Sequence, residues 1–331
     1  MEYTTLGRTG LRVSVAGLGC GGSSRLGMGY GSSTSEAARI VRHSLDLGVN
    51  FIDTAMIYGT EEAVGEALRG VPRDQVVVST KSQIVIDKRR LDPAEVVTNL
   101  EASLRRLRLE YVDVFHLHGV RPDHYGHAVA VRETLVRAKD AGKVRHIGIT
   151  ETGPFDHGHQ MLRQALADGG FEVVMTAFHM LNQNTRALVL ERARDSGVGT
   201  LIMFAVRRIF SDPAMLRQTI RQLAAQGKVA PELARTDDPL GFVVHEGGAS
   251  SVIDAAYRFV RHEPGVDVVL FGTGKPEHVA SNVASILKPP LPDADRARIV
   301  ALFGHLEEGV GLTLPEKRED DDRGQHSGAR A

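Results

Sequence analysis

Eight short apolar segments alternate with stretches that carry helix signals along most of this 331-residue chain. The segments expected to form strands are the region around Ala16 and residues 50–53, 76–81, 112–118, 146–150, 173–178, 200–204 and 267–272. The expected helices are residues 35–47, 61–69, one opened by Asp92 and Pro93, one ending at Ala141, and residues 159–167, 185–196, 214–225, 250–262, 277–287 and 293–307. Eight such units over about 300 residues predict a (β/α)8 TIM barrel.

A β-hairpin is predicted before the barrel and a polar tail after it. Residues 3–6 and 11–15 have the pattern of two strands, and the glycine-bounded residues 7–10 form the turn between them. Residues 1–314 are therefore expected to form a single barrel domain. Residues 315–331 are rich in charge and are expected to be disordered.

Composition argues against several classes of partner. The net charge of −1 gives no excess of basic groups for nucleic acid or an anionic membrane. Cys20 is the single cysteine, which excludes an internal disulfide framework. No apolar run approaches the ~20 residues of a spanning helix, and the first residues lack a signal-peptide pattern. We expect a soluble, cytoplasmic protein.

Residues 17–22 match the spacing Gly-x-Gly-x-x-Gly. A dinucleotide-binding fingerprint of the doubly wound fold requires a helix to begin at its last glycine. Here the next helix signal is the capping box that starts at Ser33 and ends at Glu36. The pattern therefore favours a strand end and a rim loop over a Rossmann fingerprint.

Chemically active side chains stand at the ends of three consecutive predicted strands. These are Asp53, Lys81 and His118, and Tyr58 lies in the loop after the first of them. A barrel places all its carboxyl strand ends on one rim, so the four groups are expected to converge. An ordinary tyrosine has a pKa near ~10, and we expect the lysine to lower the pKa of this phenol. The set is suited to proton transfer to a carbonyl oxygen.

These four residues and their settings resemble the aldo-keto reductase superfamily. The resemblance rests on segments that match together: Asp53-Thr54-Ala55 with Tyr58-Gly59, Ser79-Thr80-Lys81, the run from Asp113 to His118, the run from Gly142 to Gly148, and Gly272-Thr273-Gly274 with Asn282. It implies NAD(P)H-dependent reduction of an aldehyde or ketone, or the reverse oxidation of an alcohol or aldose. It also implies that Tyr58 is the general acid, that Lys81 and Asp53 tune it, and that His118 orients the substrate.

The same resemblance implies a cofactor site on the late rim loops. Its expected residues are Thr150, Glu151, Thr176, Met203, Phe204, Arg207, Gly272, Thr273, Gly274, Lys275, His278 and Asn282. Several of them depart from the family pattern, since Glu151 replaces an asparagine, Thr176 a glutamine and Met203 a tyrosine. Gly119 stands where an aromatic residue is usual, which implies a wider substrate pocket. We expect NADP as the cofactor, with NAD possible.

Two other functions remain open at this stage. His116 and His118 share one strand face, as in some metal-dependent barrel hydrolases, although no second cluster of ligands is evident. Alternatively, the barrel binds a nicotinamide cofactor and serves a regulatory role with little turnover.

Overall fold

A computed structural model describes residues 1–312 of the chain. Within them, eight parallel strands close into a barrel in chain order, and the last strand returns to pair with the first through Leu270 and Gly17. The barrel strands are β3 (Ala16–Gly19), β4 (Phe51–Asp53), β5 (Val77–Ser82), β8 (Val112–Val120), β9 (Val144–Glu151), β10 (Val173–Ala177), β11 (Gly199–Met203) and β12 (Val268–Phe271). The predicted (β/α)8 fold is confirmed.

Helices surround the barrel. They are α1 (Thr34–Asp46), α2 (Glu61–Ala67), α3 (Pro93–Leu107), α4 (Tyr125–Asp140), α5 (Gln160–Asp168), α6 (Glu191–Asp195), α7 (Arg208–Ser211), α8 (Pro213–Ala225), α9 (Val252–Arg261), α10 (Pro276–Leu287) and α11 (Asp293–Phe303). The capping box at Ser33 and Glu36 starts α1, and Asp92 with Glu95 starts α3 in the same way. No helix in residues 1–312 is long and apolar enough to cross a membrane.

The strands bury both faces, as parallel strands covered by helices must. Outward residues such as Ile52 and Val78 pack against the helices. Inward residues such as Phe51 and Val114 form a separate cluster inside the barrel. The predicted N-terminal hairpin, β1 (Tyr3–Thr5) with β2 (Arg12–Ser14), is confirmed, and its apolar side chains close the amino end of the barrel: Leu6, Leu11 and Val13. The carboxyl end of the barrel is not covered by this hairpin, and we call it the mouth.

Residues 17–22 form a strand end and rim loop, as the late helix signal indicated. The chain continues through a 3-10 segment, Arg25–Tyr30, and the first α-helix begins at Thr34. Gly17 is needed for packing, because a Cβ there would lie 2.8 Å from the Leu270 and Val268 side chains. The glycine pattern therefore serves the barrel wall and does not form a Rossmann fingerprint.

Some local features differ from the sequence prediction. A small hairpin, β6 (Val85–Ile86) with β7 (Arg89–Arg90), was not predicted, because its turn residues Asp87 and Lys88 adopt positive φ without a glycine signal. The helix predicted over residues 185–196 begins as a π-helix, Arg186–Leu190. The last helix ends at Phe303, earlier than predicted.

The predicted tail lies outside the described residues, and the single-domain assignment stays a prediction.

Asp267, at the amino end of β12, gives the fold a testable pH dependence. Its Oδ2 accepts hydrogen bonds from the backbone N–H groups of Gly7 (3.2 Å) and Thr200 (3.0 Å), but burial raises its pKa to about 6 from an ordinary 3.8. Because the pKa of Asp267 is higher in the folded state, the protonated carboxyl stabilises the fold. This stabilisation is fully present below pH 3.8, the ordinary pKa, and is lost as pH rises through about 6. The shift corresponds to at most ~3 kcal/mol.

Asp267→Asn keeps an oxygen acceptor and removes the charge. We expect the variant to gain ~1–3 kcal/mol of unfolding free energy relative to wild type when pH is raised from about 4.5 to about 7.5. Urea unfolding at both pH values measures this difference. The same pH dependence in both proteins would contradict the assignment.

Candidate active site

The four predicted catalytic side chains meet at the mouth of the barrel. Asp53 ends β4 and Lys81 lies on β5, both facing inward, and the Lys81 Nζ donates to Asp53 Oδ2 at 2.6 Å. Tyr58 stands in a 3-10 turn, Met56–Tyr58, above β4. Its hydroxyl lies 3.4 Å from Nε2 of His118, which comes from β8. The structure therefore brings together all four residues.

Lys81 is fully buried and remains charged through its partners. Burial opposes the charge, but the Asp53 carboxylate raises the pKa of Lys81 above its ordinary value. Two further bonds complete the arrangement: Nζ donates to the Thr54 carbonyl at 2.8 Å, and Ser79 Oγ donates to Asp53 Oδ1 at 2.9 Å. A buried ion pair is stable only when its remaining donors and acceptors are satisfied in this way.

Tyr58 is held as a protonated phenol. Burial raises its pKa, and the opposing effect of Lys81, whose Nζ lies 5.0 Å from the ring centroid, is smaller. The lysine lowers the pKa of the phenol as predicted, but burial, which cannot be read from the motif, outweighs it. A phenol that is protonated near neutral pH is a proton donor, with the lysine placed to stabilise the phenolate left behind.

His118 is a neutral imidazole. Burial, followed by the charge of Lys81, lowers its pKa to about 3. Its ring meets the Tyr58 ring edge-on, with centroids 5.5 Å apart. A neutral imidazole carries one N–H donor, so it can share a carbonyl oxygen with the phenol without competing to protonate it.

Gly21 makes room for the catalytic phenol. A Cβ at this position would lie 2.5 Å from the Tyr58 ring. The sequence predicted only a rim loop at Gly21 and no role for Ser79.

Ser79 could have been found from the sequence. It stands two residues before Lys81 on β5, so the two side chains lie on the same face of the strand.

Thr150 lies at the mouth and binds the residue that follows His118. Its Oγ1 accepts a 2.7 Å hydrogen bond from the Gly119 N–H, and Gly119 has a φ of +61°. Among residues 1–312, the Thr150 hydroxyl proton has no acceptor. The backbone conformation of Gly119 favours glycine, and the wider pocket stays a prediction.

Glu151 and Thr176 are not brought to the four-residue cluster. They share strand faces with Ile149 and Val174, which pack outward against the helices. Thr176 Oγ1 donates to Glu151 Oε1 at 2.8 Å, and His159 Nδ1 donates to Glu151 Oε2 at 2.6 Å. Both groups are thus engaged in the helix layer, and their role toward a cofactor stays a prediction.

Met203 ends β11, and Phe204 and Arg207 follow it in the next loop. Met203 packs on the inner cluster, and Phe204 adopts a left-handed φ of 67°, which is unusual outside glycine. The Arg207 guanidinium stacks over the Phe204 ring at 4.2 Å. It also donates to the carbonyls of Gly311 (3.2 Å) and Leu312 (2.9 Å). Arg207 therefore secures residues 309–312 beside the mouth.

The loop after β12 leads into the amino end of α10. Thr273 Oγ1 accepts from the Lys275 N–H at 3.0 Å, which shapes the turn. A Cβ on Gly274 would lie 3.1 Å from Gly27, so this loop packs closely against the loop after β3. Lys275 and His278 are exposed, Gly272 borders the mouth, and Asn282 is one turn further along α10. A lysine beside a helix amino terminus fits a phosphate group.

Comparison with known proteins identifies the family. The model of the Aldo/keto reductase family matches residues 18–303. The chain belongs to the aldo-keto reductase family. It is therefore an NAD(P)H-dependent oxidoreductase that acts on carbonyl compounds.

Named relatives are similar in sequence to this chain, and a solved structure is similar in fold. The chain is 27% identical over 305 residues to aldo-keto reductase YhdN of Bacillus subtilis, covering 83% of this chain and 86% of the relative. It is 28% identical over 324 residues to L-galactose dehydrogenase of Arabidopsis thaliana, covering 95% and 97%. The fold is similar to aldo-keto reductase AKR11C1 from Bacillus halodurans, with a TM-score of 0.69, 22% identity, and coverage of 92% and 96%.

His116 does not build a metal site in this aldo-keto reductase. It is buried inside the barrel against Gly148, whose Cβ, if present, would lie 2.3 Å from Nδ1. Neither ring nitrogen has a hydrogen-bond partner within residues 1–312. In that same part of the chain, no three His, Cys, Asp or Glu side chains are grouped as metal ligands. The metal-dependent hydrolase alternative is not supported, and neither is the regulatory one.

Gly21→Ala is predicted to displace Tyr58. The added methyl group collides with the ring, and a shift of the phenol by about 1 Å can cost on the order of 100-fold in rate. We expect kcat for aldehyde reduction to fall at least about tenfold, with a small change in Tm. Gly126→Ala on α4, where a Cβ meets no atom within 4 Å, is the matched control. Equal kcat values for the two variants would contradict this role.

Proposed function

We propose that Tyr58 exchanges the proton in a hydride transfer between a nicotinamide and a carbonyl carbon. The observation that carries the proposal is the convergence of the Tyr58 hydroxyl and His118 Nε2 above a buried Lys81–Asp53 pair. When bound, the cofactor supplies or accepts the hydride at the substrate carbon. The remaining chemistry belongs to the side chains of the mouth.

In reduction, the carbonyl oxygen sits between the phenol of Tyr58 and the imidazole of His118. The Tyr58 O–H bond breaks as a new O–H bond forms on the substrate, and the product is an alcohol. Lys81 stabilises the resulting phenolate, which water then protonates. In oxidation the phenolate removes the hydroxyl proton. His118 is a hydrogen-bond donor throughout, since its pKa of about 3 keeps it neutral.

We further propose NADP as the preferred cofactor. Lys275 is exposed at the amino end of α10, which supports a site for a phosphate dianion. The Thr150 hydroxyl, at the mouth, is available for the nicotinamide carboxamide. Gly272, Thr273 and Gly274 would let the cofactor backbone approach closely. The proposed fit of NADP therefore rests on the donors of Lys275 and Thr150 and on the small residues 272–274.

Oxidation of an aldose is the second candidate direction. It is favoured by the similarity, over 95% of this chain, to a protein named L-galactose dehydrogenase. Assays in both directions, with aldehydes, ketones and free sugars, distinguish the two through the absorbance of reduced nicotinamide.

Tyr58→Phe is predicted to remove turnover and keep cofactor binding. Loss of the proton donor is expected to lower kcat about 100-fold or more, while the Kd for NADPH, measured by fluorescence of the bound nicotinamide, changes little. Tyr111→Phe is the matched control, because Tyr111 precedes β8 at the opposite end of the barrel and stacks on Arg73. Near wild-type turnover by Tyr58→Phe would overturn the mechanism.

Lys275→Gln is predicted to reduce discrimination between the two cofactors. We expect the Kd for NADPH to rise about tenfold and the Kd for NADH to change less than about twofold, because only NADPH carries the additional phosphate. Lys143→Gln, at the amino end of β9, is the control. Equal weakening of both cofactors, or of neither, would contradict the assignment.

A further inference from the structure

The position of the Tyr58 phenol depends on a short loop that has little regular structure. Residues 54–60 leave β4, form one 3-10 turn and enter α2. Within this loop the Tyr58 N–H donates to the Ala55 carbonyl at 3.0 Å, and Gly59 turns the chain with a φ of +69°. The side-chain contact from Tyr58 to His118 is long, at 3.4 Å. Tighter contacts at the ends of the loop must therefore define its path.

Two buried hydroxyl groups close the loop. Thr54 Oγ1 and Thr60 Oγ1 lie 2.9 Å apart, and both side chains are fully buried. One residue follows the β4 strand and the other precedes α2, so this bond joins the two ends of the segment that carries Tyr58. We call these two residues the threonine clasp.

The clasp is connected to the catalytic lysine. The Thr54 carbonyl accepts from Lys81 Nζ at 2.8 Å, and the Thr54 N–H donates to the Ser79 carbonyl at 2.9 Å. Thr54 therefore joins two elements: its backbone is hydrogen-bonded to β5, and its hydroxyl is hydrogen-bonded to Thr60. A shift of the clasp changes the separation between the phenol and the ammonium.

A second set of hydrogen bonds, made by the residue that follows Thr60, supports the clasp. Glu61, the first residue of α2, is buried, and its Oε1 accepts from Thr80 Oγ1 at 2.6 Å. Its Oε2 accepts from Arg106 Nε at 2.6 Å. Asp53 and Lys81 face the mouth, while their chain neighbours Thr54 and Thr80 face outward, as strand alternation requires. The same two strands thus carry the reactive groups on one face and the supports of the Tyr58 loop on the other.

We infer that the threonine clasp, supported by Glu61, Thr80 and Arg106, is a positioning device that sets the distance from the Tyr58 phenol to Lys81. The inference rests on the proposed role of Tyr58 as proton donor. A single hydrogen bond is a small part of the stability of a domain, but small errors in the placement of a reacting group carry a large cost in rate. Loss of the clasp should therefore affect catalysis more than folding.

Thr60→Val replaces the hydroxyl with a methyl group of similar size. In the full-length enzyme, with NADPH and the aldehyde that wild type reduces fastest, we expect kcat to fall about 10- to 100-fold. The Kd for NADPH should stay within about twofold, since the expected cofactor residues lie on later strands and loops, outside residues 54–60. Thr60→Ser, which restores the hydroxyl, should recover kcat to within about threefold of wild type. The alkaline limb of the kcat–pH profile should move to higher pH, because the phenolate is further from the ammonium.

Further variants separate positioning from a general loss of structure. Thr54→Val should match Thr60→Val, and the double variant should be no worse than either single one, because the two hydroxyls act as a unit. Thr98→Val on α3, whose hydroxyl donates to the Ala94 carbonyl, is the control and should keep wild-type kcat.

Three results would overturn the inference: a kcat within about twofold of wild type in Thr60→Val, failure of Thr60→Ser to recover it, or losses that multiply in the double variant. If Tyr58→Phe is inactive while Thr60→Val is normal, only the clasp is wrong. If Tyr58→Phe is active, the proposed mechanism itself fails.

Discussion

The buried ion pair between Lys81 and Asp53 is the constraint on which the mouth of the barrel depends. Two charges removed from water are tolerated only when every remaining donor and acceptor is used, and this requirement brings in Ser79 and the carbonyl of Thr54. Once fixed, the ammonium adds to the burial that lowers the pKa of His118, and it lies under the Tyr58 ring. The chemistry of the site thus follows from one interaction that costs desolvation energy and supplies local charge.

Small residues are as necessary to this site as charged ones. Gly17 admits the side chains of β12 into the barrel wall, and Gly21 admits the Tyr58 ring. Gly119 continues the chain past His118 in a conformation that other residues rarely adopt. Gly17, the first glycine of the apparent dinucleotide fingerprint, is therefore explained by packing in the barrel wall.

Sequence reasoning predicted the barrel and the four-residue cluster, because both depend on where strands end. It placed Glu151 and Thr176 with the cofactor because their positions match the family resemblance, and the hydrogen bond that joins the two side chains in the helix layer could not be read from a motif. It predicted a lowered pKa for Tyr58 because a neighbouring charge is visible in a motif and burial is not. The turn at Asp87 and Lys88 carried no signal, since positive φ without glycine cannot be read from residue type. The bonds of Arg207 to Gly311 and Leu312 were equally hidden, because they join loops far apart in the chain.

The pairing of β12 with β3 has a consequence for how the enzyme is made. It joins Gly17 to Leu270 and closes the ring of strands only when distant parts of the chain have met. Contacts of such long sequence separation form slowly, because the loop entropy is lost before the contact is gained. The strands that carry Asp53, Lys81 and His118 belong to this ring, so catalytic competence is a late event in folding. A nascent chain released before β12 emerges would hold all four reactive residues and yet lack the wall that orients them.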